Sequence, residues 1–218
     1  LALHHLDDHA GGLVEDLPRR RHLVDVLPAG ALGPRGLLLH VVGPVEREQG
    51  RYLAELKEYL RIPSISTDPD YKGDVDRCAD WLIGKLQAAG LATEKISTDG
   101  HPLVYAEWLG AGPDKPTVLF YGHYDVQPPD PLDEWRNPPF EPTEEGDCLV
   151  GRGTTDDKGQ SYAHVKAVEA MLAVRGKLPV NVKFIVEGEE EAGGEAIEKY
   201  VRADGGKKLA CDTVVISD

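Results

Sequence analysis

The sequence predicts an α/β protein with a mixed, largely parallel sheet flanked by helices. Three observations carry this. Apolar stripes at helical spacing alternate with apolar runs of strand length across residues 51–217. Glycine and proline punctuate the boundaries between them. Acidic or imidazole motifs follow several of the apolar runs, and in open α/β sheets ligands bind beyond the carboxyl ends of strands.

Residues 51–61 carry Tyr52, Leu53, Leu56, Tyr59 and Leu60 on one helical stripe, and Pro63 stops it. Residues 64–73 read as loop. Residues 74–89 form a second helix, with Val75, Cys78, Leu82 and Leu86 on one face and Gly90 beyond its end. Residues 91–97 and 103–108 read as strands around the turn Asp99-Gly100-His101-Pro102. A polar turn at 110–116 leads to a buried strand at 117–121. Residues 127–142 hold too many prolines for regular structure. A helix follows at 159–174, closed by Gly176, then a strand at 180–186, a helix at 195–203 and a strand at 213–217.

Residues 1–45 differ from the rest. They use only nine amino-acid types, all encodable by codons beginning with G or C, and lack Ser, Thr, Lys, Ile, Asn and every aromatic. A GC-rich gene read out of frame or on the opposite strand yields this pattern. The segment is therefore expected to be a non-native or disordered leader, with residues 46–218 as the folded part. Pro18, Pro28, Pro34 and Pro44 argue against a continuous structured element there. His5 and His9 have the spacing of a shared helical metal site, but fall inside this leader.

The formal net charge of −14 argues against a nucleic-acid partner, and suits carboxylates offered to divalent cations as well as simple solubility. Cys78, Cys148 and Cys211 are scattered with no CxxC pair, so a thiolate zinc site or disulfide framework is not expected. No run approaches the roughly 20 apolar residues of a membrane span, and no secretory signal is visible. A cytoplasmic setting without membrane contact is the expectation.

Four motifs can carry chemistry. His123 follows the strand at 117–121 and is a suitable neutral nitrogen ligand for Zn²⁺. Asp125, two residues on, can accept the other ring N–H and fix the tautomer. Asp156 and Asp157 lie in a loop where Gly151 and Gly153 permit unusual backbone geometry. Taken alone, that loop reads equally well as a solvated turn with a helix N-cap. Glu189, Glu190 and Glu191 end an apolar strand ahead of Gly193-Gly194, so at least one carboxylate should turn inward, although charge runs are usually solvated. Asp218 follows the last apolar run and says little alone. Together, one His and several carboxylates at strand ends suit a two-metal hydrolytic site.

The segments GHYDVQP (122–128), GRGTTDDKGQ (151–160) and EGEEEAGG (187–194) closely resemble the zinc metallopeptidase family of aminoacylase, carnosinase-type dipeptidases, glutamate carboxypeptidase and succinyl-diaminopimelate desuccinylase. The resemblance covers residues 46–218, and RIPSIS (61–66) and EWRNPPFEP (134–142) look like the dipeptidase branch. It implies two Zn²⁺ ions, with Mn²⁺ or Co²⁺ as substitutes. His123 and Asp218 would bind one, Asp156 would bridge both, and Glu191 would bind the second. Glu190 would be the general base, Asp125 the residue orienting His123, and the Asp156–Asp157 peptide would be cis. The resemblance further implies a late metal-ligating His, a lid or dimerisation domain and a homodimeric parent, so the 218 residues would form an incomplete catalytic domain. The reaction implied is hydrolysis of a dipeptide or N-acyl amino acid amide bond. The competing readings are a non-catalytic metal-binding protein on the same scaffold and a deacylase or desuccinylase.

Overall fold

The computed structural model describes residues 34–218. The His5/His9 pair and most of the expected leader lie outside the described residues. In chain order the elements are α1 (Pro34–Leu60), α2 (Lys72–Ala88), β1 (Ala92–Ile96), β2 (Leu103–Trp108), β3 (Thr117–His123), β4 (Thr143–Glu145), β5 (Cys148–Val150), α3 (Lys158–Arg175), β6 (Asn181–Glu187), α4 (Glu195–Tyr200), α5 (Gly206–Lys208) and β7 (Thr213–Ile216). Short 3-10 turns occupy Pro69–Tyr71, Leu132–Glu134 and Glu190–Ala192.

Five strands form one sheet in the order β1-β2-β6-β3-β7. Strands β6, β3 and β7 are mutually parallel, while β2 pairs antiparallel with both β6 and β1. The antiparallel part follows from the short turn between β1 and β2, which cannot make the crossover a parallel pair needs. β4 and β5 form a separate hairpin.

The central strand β6 is buried along its whole length, its polar Asn181, Lys183 and Glu187 included. Its side chains alternate between two cores. Val182, Phe184 and Val186 pack with Leu82, Leu86, Val104 and Val165 under α1–α3. Ile185 packs with Leu103, Tyr105, Leu119 and Leu209 on the opposite face. Each such large apolar side chain contributes about 1.5–3 kcal/mol when fully buried. α3 ends on Gly176, whose left-handed backbone (φ 66°) donates its N–H to the Leu172 carbonyl at 2.7 Å.

Two sequence expectations need correction. α1 begins at Pro34 and runs through Pro44, so residues 34–45 are helical rather than without a continuous element. Extending an established helix adds one hydrogen bond per residue, which offsets the donor that Pro44 removes and the crowding of its ring against the carbonyl four residues earlier. The helix expected over 195–203 stops at Tyr200; the next stretch, Val201–Gly205, leaves helical geometry at Ala203 (ψ −127°), ahead of the Asp204-Gly205-Gly206 run. No helix among the described residues is long and apolar enough to cross a membrane.

Candidate active site

The parallel strands β3, β6 and β7 point their carboxyl ends to the same edge of the sheet. His123, the last residue of β3, is fully buried there. Its Nε2 lies 3.0 Å from Asp156 Oδ1 and 3.8 Å from Asp218 Oδ1. Donor atoms of these three residues all fall within 4.8 Å of one another. One nitrogen and two carboxylate oxygens form a mixed donor set of the kind Zn²⁺ takes.

Asp125 folds back beneath the ring. His123 Nδ1 is 3.1 Å from the Asp125 backbone carbonyl, its hydrogen-bond partner, and 3.3 Å from Asp125 Oδ1. Asp125 thus faces this ring nitrogen with two oxygens, its backbone carbonyl and, slightly farther off, its carboxylate Oδ1. The other oxygen, Oδ2, accepts the Glu191 backbone N–H at 3.1 Å. Asp125 thus ties the His123 strand end to the turn carrying Glu190 and Glu191.

The Asp156–Asp157 peptide is cis, as the family resemblance implies. Asp156 reaches His123, while Asp157 lies buried behind it and accepts the His123 backbone N–H at 3.1 Å. A Cβ at Gly122 would sit 2.4 Å from Asp157 Oδ2, so only glycine admits this carboxylate.

Glu190 is half-buried in the 3-10 turn Glu190–Ala192. Glu191 accepts a hydrogen bond from Gln127 Nε2 at 2.5 Å. The carboxylates of both residues lie outside the His123, Asp156 and Asp218 cluster.

Glu187 is a residue the sequence reading missed. It is 2% exposed at the end of β6 and pairs in register with His123. Tyr121 donates its hydroxyl to Glu187 Oε1 at 2.5 Å. The usable signal is alternation: residues 185 and 187 share a face, and the strand runs one residue past the expected 180–186.

The electrostatics run in one direction. Burial pushes the Asp157 carboxyl up to about 6, and neighbouring Asp218 and Asp156 add to the rise. Burial lifts Glu187 to about 7 and raises Glu191. Burial pushes His123 down, but Asp125, Asp157 and Asp156 outweigh it and raise the imidazole to about 10. Asp125 Oδ1, Asp157 Oδ1 and Glu187 Oε2 are buried without a hydrogen-bond partner. Buried carboxylates in such numbers call for positive charge, and a divalent cation among the three donors fits that demand.

The sequence profile of peptidase family M20/M25/M40 matches residues 119–217. The chain is 38% identical to human Beta-Ala-His dipeptidase over 199 residues, covering 85% of this chain and 39% of that protein. It is 33% identical to the Cys-Gly metallodipeptidase of Schizosaccharomyces pombe over 186 residues, covering 80% and 39%. The crystal structure of human carnosine dipeptidase 1 superposes with a TM-score of 0.78 at 38% identity, covering 84% of this chain and 41% of that one. The chain spans about two fifths of the length of the curated relatives it matches. The family match runs from β3 through the Asp156 loop and β6 to β7, and the chain belongs to peptidase family M20/M25/M40.

Proposed function

We propose that the protein hydrolyses the amide bond of a dipeptide or similar small N-acyl amino acid, using two divalent cations and a glutamate base. The observation that carries this reading is the convergence of His123 Nε2, Asp156 Oδ1 and Asp218 Oδ1 within 4.8 Å at the carboxyl ends of parallel strands. His123, Asp156 and Asp218 would hold one cation, and Asp156 together with Glu191 would hold the second. Zn²⁺ in such a site supplies Lewis acidity and lowers the pKa of water to about 7, with Mn²⁺ or Co²⁺ as alternatives.

The chain's own residues do the rest. Asp125 fixes the His123 ring through its carbonyl at Nδ1, leaving Nε2 as the donor. Through the Glu191 N–H it also fixes the turn that presents Glu190. Glu190 takes a proton from the attacking water as it adds to the scissile carbonyl, and delivers it to the leaving nitrogen. Asp157 holds the His123 backbone from behind.

The test is hydrolysis of a dipeptide panel with added Zn²⁺ or Mn²⁺. Metal-dependent turnover that falls at least about 10²-fold in Glu190→Ala supports the assignment. Equal turnover in Glu190→Ala and the unaltered protein refutes it. Stoichiometric Zn²⁺ uptake without turnover of any panel member favours a non-catalytic metal-binding protein on the same scaffold.

A further inference from the structure

The RIPSIS segment directly after α1 carries none of the chemistry above, yet it touches both loops that do. Ser64 is fully buried and Ile65 is 2% exposed. Ser64 Oγ donates to the Tyr124 carbonyl at 2.6 Å, and the Val126 N–H donates to the Ser64 carbonyl at 2.9 Å. Ile65 and Val126 pair as an isolated parallel bridge. The backbone on both sides of Asp125 is therefore held by this segment.

The same turn holds the other loop through Lys158, two residues beyond Asp156. Lys158 is fully buried, and its Nζ donates to the carbonyls of Tyr59 (3.1 Å) and Ile62 (2.8 Å), above the Tyr59 ring. The loop packs against both contacts: a Cβ at Gly153 would meet Val126 Cγ1 at 2.9 Å and Lys158 Cδ at 3.4 Å. Burying an ammonium is costly unless it is well paired. Lys158 also opens α3, and a cation at a helix N-terminus opposes the helix dipole. Its placement thus does not serve α3. It does serve the Tyr59 and Ile62 carbonyls in the turn that leaves α1, each of which also accepts one backbone N–H, and so ties that turn to the loop bearing Asp156.

We infer that residues 59–65 form a positioning brace, with Ser64 and Lys158 as its two contacts, that fixes Asp156 against His123 and so sets the affinity of the site for a divalent cation. This rests on the reading that His123, Asp156 and Asp218 hold such a cation. Neither Ser64 nor Lys158 touches the cation; both act through the backbone that carries its ligands.

Zn²⁺ titration by calorimetry, and Co²⁺ titration followed by its visible absorption, test this on the 218-residue chain and on Ser64→Ala, Ser64→Thr and Lys158→Met, with thermal melts alongside. Loss of an outer contact to a metal site costs about 10–100-fold in affinity. Ser64→Ala is expected to weaken Zn²⁺ binding about tenfold at temperatures where it stays folded, and to alter the Co²⁺ band. Ser64→Thr, which keeps the hydroxyl, should stay within about twofold, and folded Lys158→Met should weaken binding at least as much as Ser64→Ala. If Lys158→Met does not fold, the Ser64 pair decides. A lower melting temperature in Ser64→Ala with unchanged Zn²⁺ affinity and Co²⁺ spectrum would reduce the segment to a structural helix end and overturn the brace. No Zn²⁺ uptake by the unaltered chain, or uptake unaffected by His123→Ala, would overturn the cation reading first and the brace with it.

Discussion

Two clusters of ionisable side chains lie on this scaffold, and they solve the burial of carboxylates in opposite ways. Between α1, α2 and α3, Glu55 meets Lys166 at 2.6 Å, Arg51 at 3.1 Å, Lys85 at 3.2 Å and the Tyr162 hydroxyl at 2.8 Å. Burial alone would push Glu55 up, but these partners outweigh it and hold the carboxyl down at about 2. At the sheet edge, Asp157 and Glu187 are pushed up to about 6 and 7, and three buried carboxylate oxygens have no hydrogen-bond partner. The first cluster is balanced by the chain's own cations; the second has His123 and a surplus of carboxylates. A protein able to pair Glu55 four ways does not lack the means to neutralise acids. The difference marks the sheet edge as the place prepared for an external cation.

Breaking the sheet-edge cluster should give the largest effect. Zn²⁺ at 100 times its dissociation constant stabilises a folded protein by about 2.7 kcal/mol. That stabilisation should vanish in His123→Ala and Asp218→Asn, read as the shift in melting temperature on adding Zn²⁺. Glu55→Gln should keep the whole shift. If Glu55→Gln abolished it as well, the two clusters would not be independent.

Glu190→Gln should separate binding from chemistry. Turnover is expected to fall at least about 10²-fold while Zn²⁺ affinity stays within a few-fold. A joint loss of both would make Glu190 a ligand rather than a base.

The Glu55 network should appear in stability alone. Because the folded-state pKa of Glu55 is depressed, its contribution is complete above about pH 4.5 and is lost as pH falls toward 2. Glu55→Gln should cost about 2 kcal/mol near neutral pH, discounted for the partly exposed Arg51, and should flatten the acid limb of stability against pH. An acid limb as steep as in the unaltered protein would contradict the pairing. At the bottom of the scale, Arg77→Ala removes an exposed pair with Asp74 and should change stability by less than about 0.5 kcal/mol.

Much of this contrast was legible in the sequence, for physical reasons. Strand ends in an α/β sheet share an edge, so His123 and Asp218 could be brought together from apolar runs alone. The mixed sheet followed from the alternation of element types. Glu187 was only weakly legible: alternation puts it on the face of Ile185, but a charged residue at the end of an apolar run reads as solvent-facing, and the Tyr121 hydroxyl and the His123 register show it turned inward. Lys158 and Lys183 were missed for a related reason. Each buries an ammonium against backbone carbonyls, Lys183 on those of Lys208 and Ala210, and carbonyl partners leave no side-chain pattern to read. In the Glu55 network only Arg51 stands at a local helical spacing; Lys85, Tyr162 and Lys166 come from other helices, the last two more than 100 residues away, where no spacing signals a partner. The helix over 34–45 is hidden by composition, since Pro34 and Pro44 read as breakers.

Anomalous diffraction at the zinc edge, from crystals grown with Zn²⁺, shows whether the sheet edge holds a cation. A peak is expected about 2.0–2.2 Å from His123 Nε2 and from carboxylate oxygens of both Asp156 and Asp218. A peak seated elsewhere, or none at the sheet edge under saturating Zn²⁺, would contradict a cation site at that edge.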